Sequence, residues 1–546
     1  MYVVHLSLGM MKGVTMIDLI QLGMNYLTTL VAGIRSTVLL RFSASQSQLV
    51  QRSTIAPVYQ MPLEILAEIF SIVAESDRWA LDSDMRIAIS HVCRRWRAVA
   101  LEHPRLWAFI NIPRDLSNLD DLLKRSKRAP LSVYVEIRSD LSNWRPGCLD
   151  ILYREAWRLK RLYIATPASC FGTITICSAP ILESLYIDVN DIDGESDIQS
   201  AERFNIPLSW HSLFDNPNQP LHTLSLQQHS IPWHVTLPSS LQTLCLASPA
   251  TTQLRMENVL LLLSQLPNLR RLELLLKSVP VSALPDDAST IVSLAHLQRL
   301  ILIWDIAGCI SLIDHLSFPS EITLSIVSLD SALFTVNCLV DRLDAKLSYF
   351  RSLPSLDIVV EETGLLVVGF LDPGVSVGWN PSHQKLFLAF ITPPPHSSFE
   401  CLAVLERMPL IGLRSLCLNG AQSLRDLSTL MLLDRLDTLE ALEIGGGISL
   451  SQFFDLLLHQ RPKPHRTPPF FLPSLRHLKL ANYDFTVSDT SSQSAADLSS
   501  LVNFQHKRSR RANMRLSSLT FHDCTGISDV DRRALERALG ATVTLN

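Results

Sequence analysis

The chain has 546 residues, more than one hydrophobic core usually serves, so several domains or a stacked repeat array are expected. Charged residues make up 18% of the sequence and hydrophobic residues 47%, which excludes a largely disordered chain. The formal net charge of -4 argues against a protein whose main role is to coat nucleic acid.

Residues 1–60 are expected to form an N-terminal extension. Apolar residues recur at helical spacing between Ile17 and Ile34, which predicts an amphipathic helix that packs or binds a partner, followed by a polar linker. The uncharged stretch that begins at Leu19 is shorter than the roughly 20 apolar residues that cross a bilayer. No transmembrane span and no membrane partner are therefore predicted.

Residues 61–108 are predicted to form a small helical motif. Apolar residues between Pro62 and Val73 share one helical face, and Pro62 suits the first turn, where its missing N–H costs no bond. Pro104 is expected to end a second helix. The apolar stripe that predicts this second helix consists of Met85, Ile89, Val92, Trp96 and Val99.

Three sequence blocks within this motif stand in a characteristic order: MPLEILAEIF from Met61, VCRRWRAVA from Val92 and HPRLW from His103. Together they resemble the F-box of fungal F-box proteins. The resemblance implies docking on the Skp adaptor, and through it on a cullin. The matching residues, which are predicted to dock or to shape the docking surface, are Pro62, Ile65, Leu66, Ile69, Phe70, Val92, Cys93 and Trp96. An alternative remains open, in which these residues form only the core of a small helical domain.

One phrase recurs across residues 109–546: Leu, two residues, Leu, one residue, then Leu, Ile or Phe. Its first leucines are mostly about 20 to 40 positions apart, the period of leucine-rich repeats. A single repeat cannot bury its own apolar face, so the expected fold class is α/β: an irregular leucine-rich-repeat solenoid of parallel short strands with helical or loop returns. The helical returns are predicted at 259–263 and 453–458. The phrases begin at Leu159, Leu182, Leu221, Leu241, Leu269, Leu297, Leu413, Leu439, Leu475 and Leu516.

Several segments depart from this phrase. The sequence RAPLSVYVE, which ends at Glu136, resembles a strand, so the array is expected to begin near residue 119. The region near 360–412 is expected to be a degenerate repeat or an inserted hairpin. Asn190 and Cys524 occupy positions where the repeat family bonds loop backbone. The basic cluster 506–511 is predicted to lie in a solvated loop, with a nuclear-import or nucleic-acid contact as the alternative.

Strand alternation predicts which side chains face away from the leucine core. These outward positions mix aromatic, acidic and basic groups, which suggests a protein-binding surface rather than a site for a uniform polyanion. The predicted substrate-binding candidates are Tyr163, Tyr186, Arg271, Glu273, Arg299, His477, Lys479 and His522.

Sequence signatures of catalysis or metal binding are not found. The acidic run that begins at Asp188 fails the EF-hand pattern, the histidines lack zinc-ligand spacing, and no P-loop or G-x-S-x-G motif is present. The ten cysteines contain no CxxC pair, which favours the reducing cytoplasm or nucleus. No cofactor, metal or catalytic residue is predicted.

Three functions are weighed. The leading hypothesis is a non-catalytic substrate-recognition subunit of an SCF-type cullin–RING E3 ubiquitin ligase. The alternative is a leucine-rich-repeat interaction scaffold without a ligase role. An enzyme with an unrecognised site is the third, and it would need several titratable residues brought together in a deep pocket.

Overall fold

The computed structural model divides the chain into two compact units. The first consists of Met1–Glu136 with Arg158–Lys160, and the second of Ile137–Trp157 with Arg161–Asn546. The structure describes residues 62–76, 84–112, 115–136, 154–166, 178–189, 219–227, 236–248, 256–276, 291–328, 333–361, 364–371, 384–391, 408, 410, 412–419, 435–445, 448, 450–458, 471–485, 498–512 and 515–545. The predicted extension at 1–60 and the ladder residue Asn190 lie outside these residues.

The first unit is mainly helical and carries a small parallel pair of strands, β1 and β2. The segment that ends at Glu136 is one of these strands, as its alternating pattern predicted. The elements are α1 (Leu63–Ser76), α2 (Asp84–His91), α3 (Arg94–Glu102), a 3-10 turn (Pro104–Trp107), β1 (Phe109–Ile112), a 3-10 turn (Leu116–Asn118), α4 (Leu119–Ser126) and β2 (Leu131–Glu136).

The apolar stripe from Met85 to Val99 belongs to two helices, so the prediction of one continuous helix was wrong. The chain leaves α2 at His91, and Cys93 adopts an extended backbone conformation. The Cys93 thiol accepts a hydrogen bond from the Trp96 amide at 3.4 Å and thereby caps the start of α3. A side-chain cap satisfies an amide that a new helix would otherwise leave unbonded, which explains the break.

A single apolar cluster holds the helices of the first unit together. Leu66 and Phe70 of α1 pack with residues of α2, α3, the 3-10 turn and α4. The Trp107 indole N–H donates to the Ala100 carbonyl at 2.7 Å, so this buried ring keeps its polar group bonded. A buried ion pair, with Arg86 Nη2 and Asp115 Oδ1 2.6 Å apart, joins α2 to the segment after β1.

The second unit contains most of β3 and the strands β4 to β19, and most of these strands form one large sheet. Every strand that was predicted from the recurring leucine phrase is present, and neighbouring phrases pair in parallel register. The ten strands are β3 (Leu159–Thr166), β4 (Ser184–Val189), β5 (Thr223–Gln227), β6 (Thr243–Ser248), β7 (Arg271–Leu276), β9 (Arg299–Ile303), β15 (Ser415–Asn419), β16 (Ala441–Gly445), β17 (His477–Ala481) and β18 (Ser518–His522).

The gap in the phrase after Leu297 is filled by an antiparallel insertion, the hairpin that was one of the two alternatives. Strand β13 pairs antiparallel with both β12 and β14. On the outer sides of this trio, β14 pairs in parallel with β11, and β12 pairs in parallel with β15. The hairpin therefore lies between two strands that follow each other in sequence. The remaining described strands of this unit are β8 (Val292–Ser293), β10 (Leu316–Ser317), β11 (Thr323–Ser328), β12 (Ser355–Glu361), β13 (Gly364–Phe370), β14 (Gln384–Ile391) and β19 (Thr542–Leu545).

Six helices of the second unit are described. Two of them, α5 and α8, include the apolar runs 259–263 and 453–458, as predicted. The helices are α5 (Met256–Ser264), α6 (Ile306–His315), α7 (Leu333–Lys346), α8 (Leu450–Leu458), α9 (Leu498–Ala512) and α10 (Asp529–Leu539).

The basic cluster 506–511 lies in α9, so its placement in a solvated loop was wrong. Arg508 is 1% exposed, and its Nη1 donates to the carbonyls of Phe471 and Leu472 at 3.2 and 3.0 Å. Burial lowers the pKa of its guanidinium to about 10. His506 and Lys507 remain exposed, so the cluster is split between a structural contact and the surface.

We expect Gly308→Ala to destabilise the protein, although alanine is the better helix former by about 1 kcal/mol. A Cβ atom at Gly308 in α6 would lie 2.5 Å from Cε2 of the Trp304 ring, which is 4% exposed and has little room to move. Overpacking of this kind costs about 1 to 3 kcal/mol. The thermal unfolding midpoint should therefore fall.

The exposed neighbour Ala307 provides the control. Ala307→Gly should lower the free energy of unfolding by about 1 kcal/mol through helix propensity alone, and the midpoint should fall accordingly. A higher midpoint for Gly308→Ala would show that the Trp304 ring does not limit this position.

Candidate interaction surfaces

The predicted docking residues of the first unit separate into buried and exposed groups. Leu66 and Phe70 are each 1% exposed and belong to the core cluster. Trp96 is half-buried and packs edge-on against Phe70, with ring centroids 5.2 Å apart. These side chains therefore shape the unit from within.

Ile65 and Val92 are 51% and 57% exposed, and Pro62 is also exposed, whereas Ile69 and Cys93 are half-buried. Three further exposed apolar residues of this unit were not singled out from the sequence. We call the five residues Leu63, Ile65, Ile87, Val92 and Leu101 the exposed apolar set.

A hydrogen bond joins α1 to the end of α3 beside this set. Ser71 Oγ and His103 Nε2 lie 2.8 Å apart. Burial lowers the pKa of His103, and nearby Arg105 lowers it further, while Glu68 opposes the shift. Burial of His103 therefore disfavours its charged form, and the turn Pro104–Trp107 follows this residue directly.

In the large sheet, the residue between the second and third apolar positions of each phrase faces outward. Parallel and antiparallel pairing aligns these residues into one line, which we call the central row. In spatial order the row is Tyr163, Tyr186, Ser225, Cys245, Glu273, Ile301, Ser325, Phe387, Val368, Asp357, Cys417, Glu443, Lys479, Thr520 and Thr544.

The predicted substrate-binding candidates fall into three groups along this face. Tyr163 and Tyr186 are register partners with ring centroids 6.2 Å apart. Arg271, Glu273 and Arg299 form the second group, and His477, Lys479 and His522 the third. All eight side chains keep some solvent exposure, as strand alternation predicted.

Two arginines stand close to one carboxylate in the second group. Arg271 and Arg299 are register partners on β7 and β9, and Arg271 Nε contacts Glu273 Oε1. Burial lowers the pKa of Arg299, and the neighbouring Arg271 lowers it further, while Glu273 opposes the shift. The group carries one more positive than negative side chain.

The third group lies beside two acidic residues, Asp357 and Glu443, that were missed from the sequence. Asp357 and Glu443 stand two steps apart in the central row, with Cys417 between them. Burial raises the pKa of Asp357 to about 7, and Glu443 adds to the shift, while Lys479 opposes it. The signal for Asp357 was present, since Leu353, Leu356 and Ile358 repeat the leucine phrase.

Lys479 forms a salt bridge with Glu443, with Nζ 3.2 Å from Oε1. Burial still raises the pKa of Glu443, against the effect of Lys479. Burial also raises the pKa of the Cys417 thiol well above its ordinary value, and the two carboxylates add to it. Cys417 is therefore held as a neutral thiol and not as a nucleophilic thiolate.

Cys524 behaves as the ladder residue that the repeat pattern predicted. Its thiol donates to the Leu480 carbonyl on the neighbouring strand at 3.4 Å, and burial raises its pKa. Close by, His477 Nδ1 lies 2.8 Å from Ser518 Oγ of the adjacent strand.

The described residues do not assemble a recognisable catalytic or metal site. An open cavity of about 550 Å³ is lined by Thr323 and by charged groups that include Arg270, Glu321 and Lys385. Histidine, cysteine, aspartate and glutamate nowhere cluster in threes or more to hold a metal within the described ranges. Likewise, no described helix is both long and apolar enough to span a membrane.

Comparison with known proteins identifies the first unit's helical motif. A family model described as F-box-like matches residues 58–113. A solved structure described as the crystal structure of the Rad7 and Elc1 complex in yeast is similar at 13% identity, covering 89% of this chain and 92% of that chain with a TM-score of 0.23. At that score the similarity supports no conclusion about the fold. No curated protein matches the chain significantly.

We expect Asp357→Asn to stabilise the protein at pH 8 and to have little effect near pH 4. With a pKa near 7 in the folded chain against an ordinary 3.8, Asp357 retains a proton that the unfolded chain releases, so stability falls as pH rises across that window. Asparagine removes this ionisation. One pKa unit corresponds to about 1.4 kcal/mol, so a gain of about 1 to 3 kcal/mol at pH 8 is expected.

The measurement is the thermal unfolding midpoint of both proteins across this pH range. Asp120→Asn, at an exposed position of α4, serves as the control and should show no such pH-dependent gain. A gain of equal size at both ends of the range would contradict the assigned ionisation.

Proposed function

We propose that this chain is the substrate-recognition subunit of an SCF-type cullin–RING E3 ubiquitin ligase. In this proposal the F-box-like motif binds a Skp-type adaptor and the second unit binds a protein substrate. The supporting observation is that residues 58–113 match the F-box-like family model, and that the helices described within this range leave five large apolar side chains exposed.

The exposed apolar set is what an adaptor would cover. Leaving half of each such side chain in water forgoes burial worth roughly 25 cal/mol per Å² of apolar area. The core of the unit is already filled by Leu66, Phe70 and Trp107. The exposed apolar set therefore lies at the surface of a unit that has its own packed core. A partner surface supplies the missing apolar contact.

The second unit supports the substrate-binding part of the proposal. Its parallel strands come from the repeated leucine phrase, which supports a leucine-rich-repeat type of solenoid. The central row mixes aromatic, apolar and charged side chains, a composition suited to a protein partner.

The proposed role is non-catalytic. Ubiquitin transfer would be performed by other subunits, and this chain would contribute by holding the substrate close to them. Cytoplasmic or nuclear location follows from the same proposal, since those are the compartments in which reduced cysteines persist.

We expect the full chain to co-purify with a Skp-type adaptor, and Ile65→Asp or Val92→Asp to lose this binding while the protein stays folded. Both residues are more than half exposed, so a charge there is solvated in the free protein but would be buried in the complex. A loss of at least about tenfold in affinity is expected, measured by calorimetry with purified adaptor.

Two variants serve as controls. Leu261→Asp alters an apolar residue of α5 in the second unit that is 58% exposed, and it should bind the adaptor like the wild type. Leu66→Asp places a charge in the core, so it should unfold the helices, which circular dichroism would detect. If the folded wild type binds no adaptor, the chain is better regarded as an interaction scaffold without a ligase role.

A further inference from the structure

The charges on the outward face of the large sheet are divided into two zones of opposite sign. The zones lie on different strands and are separated by uncharged positions of the central row. Their arrangement specifies the chemistry of a substrate segment that would fit this face, so the inference rests on the function proposed above.

The basic zone consists of Arg271, Arg299 and Glu273. The two arginines are register partners on adjacent strands, and the Glu273 carboxylate pairs with Arg271. Arg299 Nε is buried and has no hydrogen-bond partner within the described residues. A buried donor without a hydrogen bond costs free energy. The zone also carries two arginines against one glutamate, so an incoming carboxylate near Arg299 and Arg271 would balance its charge.

The acidic zone consists of Asp357, Glu443 and Lys479. Lys479 pairs with Glu443, which is 7% exposed. The Asp357 carboxylate forms no hydrogen bond or ion pair within the described part of the chain, and this half-buried group faces outward. An incoming cation would bond this carboxylate and offset the repulsion from Glu443.

The central-row positions between the zones are uncharged, and the charged Lys385 of β14 stands two residues before Phe387 on the same strand face. From β9 the pairing runs through β11, β14 and β13 to β12, which is four strand steps. At about 4.8 Å per step, the zones are roughly 20 Å apart, and an extended peptide covers that distance in about six residues. Along this path the central row consists of Ile301, Ser325 and Phe387, which are partly exposed, and Val368, which is 5% exposed.

We propose that this face binds an extended segment of the substrate protein that carries one acidic and one basic side chain about six residues apart. The acidic side chain contacts Arg271 and Arg299, and the basic side chain contacts Asp357. Uncharged residues between them lie over Phe387 and its neighbours. A nucleic acid does not fit this arrangement, because its phosphates would meet Asp357 and Glu443, and the one lysine of this zone, Lys479, is already paired with Glu443.

The test uses the full chain, purified with its adaptor if one binds, and a displayed library of random peptides about 12 residues long, enough to span both zones in extended form. Selected peptides are expected to be enriched in sequences with an acidic and a basic residue about five to eight positions apart, with uncharged residues between. A synthetic peptide of the selected sequence should lose at least about tenfold in affinity when either charged residue is replaced by alanine.

Charge reversal assigns the contact to its residue. Asp357→Lys should abolish selection of the basic residue and should bind a peptide carrying an acid in its place. Asp455→Lys, an equivalent change at an exposed position of α8, should leave the selection unchanged. Folding of each variant is checked by circular dichroism.

Selection of peptides without the charge pair, a selection that Asp357→Lys leaves unaltered, or no enrichment by the folded protein would overturn the inference. Adaptor affinity measured on the same samples separates this result from the proposed function. Adaptor binding without charge-pair selection rejects the peptide chemistry alone, whereas absent adaptor binding rejects the ligase role whatever the peptides show.

Discussion

The large sheet depends on one constraint: a strand of the leucine phrase cannot bury its apolar side chains without a neighbour in the same register. Leu224, Leu244, Leu272 and Leu300 are consecutive register partners, and each is fully buried. A slip of one residue would turn a whole strand's leucines outward and its polar residues inward. The register that buries the leucines therefore also fixes which side chains form the central row.

The antiparallel hairpin shows how this constraint accommodates an irregular segment. Strands β11 and β12 are consecutive along the chain yet do not pair, and β14 and β13 fill the space between them. The inserted strands keep the apolar alternation, because Leu386, Leu388 and Val367 are buried like the phrase leucines. The insertion thus extends the buried face without a break and widens the outward face by two uncharged positions.

Sequence periodicity predicted the strands well because the leucines of the phrase are the positions that each strand buries. It predicted less where the outcome depends on partners distant in sequence. The break before α3 depends on a thiol cap at Cys93, which helical spacing does not reveal. The burial of Arg508 depends on two carbonyls of a preceding segment, which accept hydrogen bonds from its guanidinium. The pKa of Asp357 is raised by burial and then by Glu443, while Lys479 lowers it, and only the sheet pairing brings these two residues near.

The helical motif illustrates a further limit of recognising a site from its sequence. Ile65 and Leu66 are adjacent and both match the F-box pattern, yet a turn of about 100° per residue places one at the surface and the other in the core. A motif match does not distinguish such positions, because a residue can match the pattern whether it packs in the core or lies at the surface. Exposure separates the two causes. Leu66 and Phe70 belong to the apolar core, whereas the exposed apolar set lies at the surface, where the proposed adaptor would cover it.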